Sequence, residues 1–411
     1  MSFAVASASY AQFLQYTPPG GPEAKPRDRK ASLEQEVEQA RHHLGPIRIA
    51  PWFSVHDGAY VRSLFASGNP PPSDFTVTVG AGLRAYLRSG SKLTWTAQAL
   101  PEYVYWQKQS DRRRVNGRYR VGAYGYFNRL SLELTAGRAQ QQQVLTPEVP
   151  IPATARIDTE QLLAEVEVNR GISAFSLLTL TQQRNLVDEL ADPRTGALNT
   201  LDRNEQVLRA GVRLRPRRSW SLGFGVERSQ VDFERAISDR SNEGTAPVVE
   251  AHLDLRRLHV DLDVAFRSLR ARPGAAFVPY DSPTGALTFS FALTGKTALN
   301  LYTSRSLVYS LARDSSYLQD DRVGSALSFN AASRLNTRVF YEIGTDDYTP
   351  LVPTAVRRKD DYHAYGASFD WALGTTVSLT VSALSAHYDS SLPGGDRDYR
   401  SVGATFNVGA K

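Results

Sequence analysis

The sequence predicts an all-β fold: a transmembrane up-and-down antiparallel β-barrel of about 18 strands, preceded by a short N-terminal periplasmic helix. Three observations predict it. Apolar and polar residues alternate with period two along most of the chain. About 18 such segments occur, most of them reaching the roughly 9–11 residues a tilted strand needs to cross a bilayer. The connectors between them are alternately short and long.

The chain opens MSFAVASASYAQFLQYTPPGGPEAK. Phe3 to Ala8 reads as the tail of an apolar signal-peptide core, and Ser9-Tyr10-Ala11 has the small-x-small form of a signal-peptidase site. Residues 1–11 are therefore expected to be a signal-peptide remnant, cleaved after Ala11, whose charged start lies upstream. Residues 12–44 are expected to form a periplasmic leader, rich in Pro, Gly and charge up to residue 29. A helix follows over Ala31–His43, with Ser32 and Gln35 at capping-box spacing and Leu33, Val37 and Ala40 on one face. Gly45-Pro46 ends it, and residues 45–411 form the barrel.

From there the period is two. IRIAPWFSV sets Ile47, Ile49, Pro51, Phe53 and Val55 against Arg48, Ala50, Trp52 and Ser54. DFTVTVGAGLRAYLR sets seven apolar residues from Phe75 to Leu87 against Arg84, Tyr86 and small polar residues. In VLRAGVRLR, Leu208, Ala210, Val212 and Leu214 oppose Arg209, Gly211, Arg213 and Arg215; RLHVDLDVAFR and WSLGFGVE behave alike. Strands are expected to start near residues 46, 74, 92, 113, 129, 157, 172, 204, 218, 246, 257, 284, 296, 321, 334, 361, 375 and 398. Short turns such as Asn128-Arg129, Arg170-Gly171 and Ser333-Arg334 alternate with long polar connections such as HDGAYVRSLFASGNPPPS and VDELADPRTGALNT. A soluble sandwich has no reason to make every second loop short. An outer-membrane barrel does, because short turns face the periplasm and long loops the outside. An even strand number also puts both termini in the periplasm. Trp95, Phe127, Trp220 and Trp371 lie near short turns, and Tyr103, Tyr105, Tyr309, Tyr348 and Tyr388 near long loops, so two interfacial aromatic girdles are expected.

Composition narrows the function. With no cysteine there are no disulfides, thiolate metal sites or lipidated cysteine, which suits passage through an oxidising periplasm. The 48 basic residues comprise 41 Arg and 7 Lys against 42 acidic residues, for a net charge of +6. The arginines are spread along the whole chain, with no compact basic block or aromatic-basic motif, so no nucleic-acid partner is expected. A GC-rich genome accounts for the Arg bias.

Strand parity defines an inward face. Its pore-lining candidates are Arg48, Arg84, Arg118, Arg120, Arg209, Arg213, Glu250, Asp254, Asp261, Asp263, Arg267, Arg338 and Glu342. Trp52, Tyr86, Tyr124 and Tyr126 share that parity and could stack on sugar faces, or pack against a plug or against the leader helix. Basic residues cluster on 204–215 and acidic ones on 246–267, so these staves either set up a transverse field or neutralise each other in salt bridges. Two acidic pairs near loops, Asp360-Asp361 with His363 and Asp346-Asp347, are the candidates for activating water. No nucleophile motif or zinc-ligand spacing accompanies them, so no enzyme, metal or cofactor is expected.

The stretches GPIRIAPWFSVHDGAY (residues 45–60) and SDFTVTVGAGLRAYL (73–87) resemble the β-barrel porin type 2 family. The likeness is motif-like in these two strands and a matter of pattern beyond them. It departs from the family at His56-Asp57-Gly58-Ala59, and in ending TFNVGAK without a terminal aromatic. The resemblance implies passage of exopolysaccharide or capsular polysaccharide through the outer membrane, in the company of a periplasmic polysaccharide-export protein that the helix would contact. It also implies assembly by the barrel-insertion machinery and contact with outer-membrane lipid and lipopolysaccharide. A diffusion porin for small solutes and a closed structural or adhesive barrel are the alternatives.

Overall fold

The computed structural model describes residues 20, 29–40, 42–62, 73–143, 146–148, 153–186, 197–217, 219–235, 239–312, 314–352, 356–374 and 376–409. The signal-peptide reading falls on residues 1–11, outside the described residues. The described chain begins with helix α1 (Arg29–Gln39) and a three-residue strand β1 (His42–Leu44). Eighteen long strands follow: β2 (Ile47–Arg62), β3 (Ser73–Ser89), β4 (Leu93–Trp106), β5 (Arg114–Tyr126), β6 (Leu130–Gln143), β7 (Ala153–Asn169), β8 (Ile172–Asn185), β9 (Arg203–Arg217), β10 (Trp220–Phe233), β11 (Asn242–Asp254), β12 (Leu258–Ala271), β13 (Tyr280–Ala292), β14 (Thr297–Tyr309), β15 (Ser315–Ala332), β16 (Leu335–Pro350), β17 (Lys359–Ala372), β18 (Val377–Ser390) and β19 (Arg397–Gly409).

Each strand from β2 to β19 pairs antiparallel with its chain neighbours, and β19 pairs with β2, so the sheet closes. Eighteen strands spaced and tilted as usual give a barrel about 35 Å across between backbones. Turns on one rim are two to four residues long and connections on the other five to seventeen, as the connector pattern predicts.

Most strands start within two residues of the expected positions, but β7, β11, β13 and β15 start four to six residues earlier. All four descend from the long-loop rim. There the strands rise out of the bilayer and meet water on both faces, so the apolar alternation that marks a strand in sequence is lost. The helix also differs from its expected span. It starts at Arg29, which puts Ser32 inside the first turn, and it stops at Gln39 because His42–Leu44 pairs with Ile47–Ile49. Gly45, at φ 59°, makes that tight reversal. The departing motif His56–Ala59 marks a break in the β2–β3 register, a bulge near the long-loop end.

Outward residues such as Leu83, Leu134, Val212, Phe224, Leu301, Val339 and Phe369 are exposed, forming an apolar belt around the wall. A soluble protein does not leave such a band bare. Belt and fold place the barrel in the outer membrane of a Gram-negative-type cell. Trp95, Phe127, Trp220 and Trp371 are exposed on the outside near the short-turn rim, as a girdle requires. At the other rim the expectation fails in part. Tyr103 is exposed, but Tyr309, Tyr348 and Tyr388 are each 1% exposed and face inward. Tyr309 packs edge-on against Phe233 at 4.8 Å, Tyr388 stacks on Tyr362 at 5.1 Å, and Tyr348 lies under the Arg358 guanidinium at 4.3 Å. Tyr348 has the same parity as Glu342, and that parity fixes its face.

Candidate functional site: the lumen and its two mouths

The structure places the thirteen pore-lining candidates and the four aromatic candidates on the inner face. What they touch divides them into three groups.

The first is an ion-pair lattice over β7 to β13. Arg209, 4% exposed, reaches Glu227 at 2.9 Å on β10, Glu250 at 2.9 Å on β11 and Asp263 at 3.0 Å on β12. Arg267 adds Glu227 at 2.6 Å and donates to Thr284 at 2.7 Å. Arg213 bridges Glu250 at 2.8 Å and Glu165 at 3.3 Å. His259 meets Asp254 at 2.7 Å, and His252 meets Asp261. Of the two readings of the charged staves, this is mutual neutralisation. Glu227 and Glu165, also on the inward parity, bridge the arginines across strands.

The second group lies beneath α1. Leu33, Val37 and Ala40 pack on Ala50 and Tyr86, with Tyr124 and Tyr126 beside them. Arg29 pairs with Glu133 at 2.6 Å, Tyr86 donates to Glu36 at 3.0 Å, and Arg48 donates to the Val37 carbonyl at 3.1 Å. Three of the four aromatic candidates therefore contact the protein's own helix. Trp52 instead lies flat against β3, where Arg84 covers its ring at 4.8 Å. Gly82 permits this, since a Cβ there would sit 2.3 Å from the indole. Arg118 pairs with Glu102 at 3.3 Å. Among the described residues, Arg48, Arg84, Arg120 and Arg338 make no ion pair with a carboxylate.

The third group is on β14 to β19. Glu342 accepts from Tyr302 at 2.6 Å and from the Gly20 amide at 3.1 Å, and Arg338 donates to the Gly20 carbonyl. Next to it is a feature that sequence reasoning missed. Asp320, Asp346 and Asp360 stand directly opposite one another on β15, β16 and β17, all inward and buried. Asp320 is held by Arg322 at 2.7 Å, and Asp360 by Arg397 at 2.9 Å and by Arg358. Among the described residues, neither carboxylate oxygen of Asp346 has a hydrogen-bond partner. Like charges directly opposite are destabilising, so Asp346→Asn is expected to stabilise the barrel by about 1 kcal/mol, read as a higher heat-unfolding midpoint. The same parity separates the water-activating candidates. Asp346 and Asp360 face the lumen, whereas Asp347, Asp361 and His363 lie on the outer face, where His363 neighbours His387 at 5.2 Å. Among the described residues His363 pairs with no carboxylate; the histidine that does is His387, with Asp398 at 2.7 Å and Asp389 at 2.9 Å, and neither of those acids is a candidate.

The long-loop mouth is narrowed by infolded connections. Leu198 and Leu201 of the β8–β9 connection and Phe277 of the β12–β13 connection pack on inward residues Val231, Phe233, Leu269 and Tyr309. Glu148, between β6 and β7, accepts from Ser310 at 2.9 Å and from the Leu311 amide at 2.6 Å. Ser310 and Leu311 lie between β14 and β15, seven strands around an eighteen-strand wall, so this contact spans the mouth. Arg240 ties the same corner by donating to the carbonyls of Ser310 and, at 2.9 Å, Ala312.

No family model matches the chain, and no curated protein matches it in sequence. Solved structures do. The Pseudomonas aeruginosa outer membrane protein OpdK aligns with 88% of this chain and 99% of its own, at 11% identity and a TM-score of 0.54. P. aeruginosa OccK2 (OpdF), solved in complex with glucuronate, aligns over 88% and 98% at 12% identity and a TM-score of 0.53. Acinetobacter baumannii OccAB3 aligns over 88% and 98% at 10% identity and a TM-score of 0.52. The fold is that of an outer-membrane porin. Within this porin barrel the first two strands, whose motifs suggested a polysaccharide-export type, are ordinary wall strands, and the matched structures are of another porin type.

Proposed function

We propose that this barrel is a channel for small solutes across the outer membrane, with small carboxylic acids as the class to test first. The observation that carries this reading is the Glu148 contact across the long-loop mouth. An eighteen-strand barrel is wide enough for an aqueous channel, but infolded connections cross it at the long-loop mouth. A polymer pathway needs a clear bore from end to end, which makes polysaccharide passage the weaker reading. The inward arginines without a carboxylate partner, Arg84, Arg120 and Arg338, favour anions in the lumen. Structures of the OccK2 barrel with glucuronate and of OpdK with vanillate point to the same solute class.

The test is swelling of proteoliposomes in a uronic acid, a neutral sugar of equal size and a long oligosaccharide. The acid and the sugar are expected to enter, the acid faster, and the oligosaccharide to be excluded. Equal entry of the oligosaccharide would return the function to polymer passage, and no swelling at all would indicate a closed barrel. Glu148→Ala removes both bonds across the mouth and is expected to raise the size cutoff.

A further inference from the structure

We propose that α1 is the selectivity filter of the short-turn mouth, a helix docked inside the barrel that sets both the width and the charge of the opening. This rests on the channel reading and deepens it.

The wall residues seen against α1 are inward and close to the short-turn rim: Arg48 and Ala50 start β2, Tyr86 is near the end of β3, and Glu133 is near the start of β6. Through these contacts the helix runs along the inner wall from β6 to β2. Its opposite side is left to the water of the bore, with Glu34 and Glu38 exposed. Of the wall arginines the helix covers Arg48, which donates to the Val37 carbonyl, and in its place it presents the carboxylates of Glu34 and Glu38, with Lys30 3.9 Å from Glu34. An eleven-residue helix is marginal by itself in water, and its existence here depends on the dock. The leader is held at a second point, Gly20 on β16, eight strands from Glu133 on β6 and so nearly opposite it. A helix that served only to contact a periplasmic partner would present its apolar face outward. This one buries Leu33 and Val37 in the barrel.

Two variants of the full chain separate width from charge in planar bilayers. Leu33→Asp with Val37→Asp unseats the helix and is expected to raise single-channel conductance by about twofold or more. Glu34→Lys with Glu38→Lys leaves the dock untouched and is expected to lower the potassium-to-chloride permeability ratio by about twofold, read as a shift in reversal potential across a KCl gradient. Because these two glutamates are exposed, the second variant folds even if the first does not. Wild-type conductance in the unseated protein, or an unchanged reversal potential in the charge-reversed one, would overturn the filter and leave the channel standing. Silence in every protein, the unseated one included, would overturn both.

Discussion

Arg209→Met is expected to lower the stability of the barrel by about 3–5 kcal/mol and to shift its ion preference toward cations. Three carboxylates converge on this guanidinium, and all three lose it. Glu227 keeps Arg267 at 2.6 Å and Glu250 keeps Arg213 at 2.8 Å, while Asp263 gives up its 3.0 Å contact. The stability loss therefore comes chiefly from the repulsion within a trio that no longer has a shared cation at its centre. Arg209→Lys keeps the charge but not the planar fork that reaches three partners on separate strands at once, and is expected to recover only part of the loss. Unfolding of the detergent-solubilised barrel in urea gives the first quantity, and reversal potential gives the second. A loss below about 1 kcal/mol would mean that lumen water screens the trio as well as a protein surface does. The burial of Arg209 beside a fully buried Glu227 argues for the larger value.

The sequence carried the wall of this barrel far better than its interior. Period-two alternation is a local signal, and it assigns a face to each pore-lining candidate from Arg48 to Glu342 because the strands there are apolar on one side only. Parity alone also places Tyr348 inward beside Glu342 and divides Asp360 from Asp361. Those assignments need nothing beyond the order of residues, and for Tyr348 and Tyr388 the girdle expectation went wrong by using nearness to a loop in place of parity. Other features depend on partners distant in the chain. Glu148 meets Leu311, 163 residues away, and Gly20 meets Glu342, 322 residues away. Register decides whether Asp320, Asp346 and Asp360 stand in one row or are staggered past each other, and register is set by the turns and by packing on both faces. The dock of α1 was half legible. Leu33, Val37 and Ala40 gave a narrow apolar face that needed covering, but nothing local says whether the cover is a partner protein or the barrel's own tyrosines.

Gly324→Val sets two principles in direct opposition, and the geometry decides between them. Valine suits a strand better than glycine, and in an open position this exchange would stabilise the sheet by about 1 kcal/mol. At residue 324, on β15, a Cβ would fall 2.2 Å from Cζ of Tyr302 and 2.3 Å from its hydroxyl oxygen. The Tyr302 ring lies flat on β15 because no side chain occupies that spot. Forcing it off the wall costs about 1–3 kcal/mol as overpacking. Losing the 2.6 Å bond from Tyr302 to buried Glu342 costs about another 1–3 kcal/mol. The expected sum is a destabilisation of about 1–5 kcal/mol after the propensity gain is taken off. Adding Tyr302→Ala to Gly324→Val empties the clashing volume and is expected to recover about half of the loss, a non-additivity that contacting residues show and distant ones do not. If Gly324→Val alone proves stabilising, the ring is free to leave the wall. Glu342 then holds Gly20 without help from Tyr302, and the leader's second anchor is independent of the aromatic packing beside it.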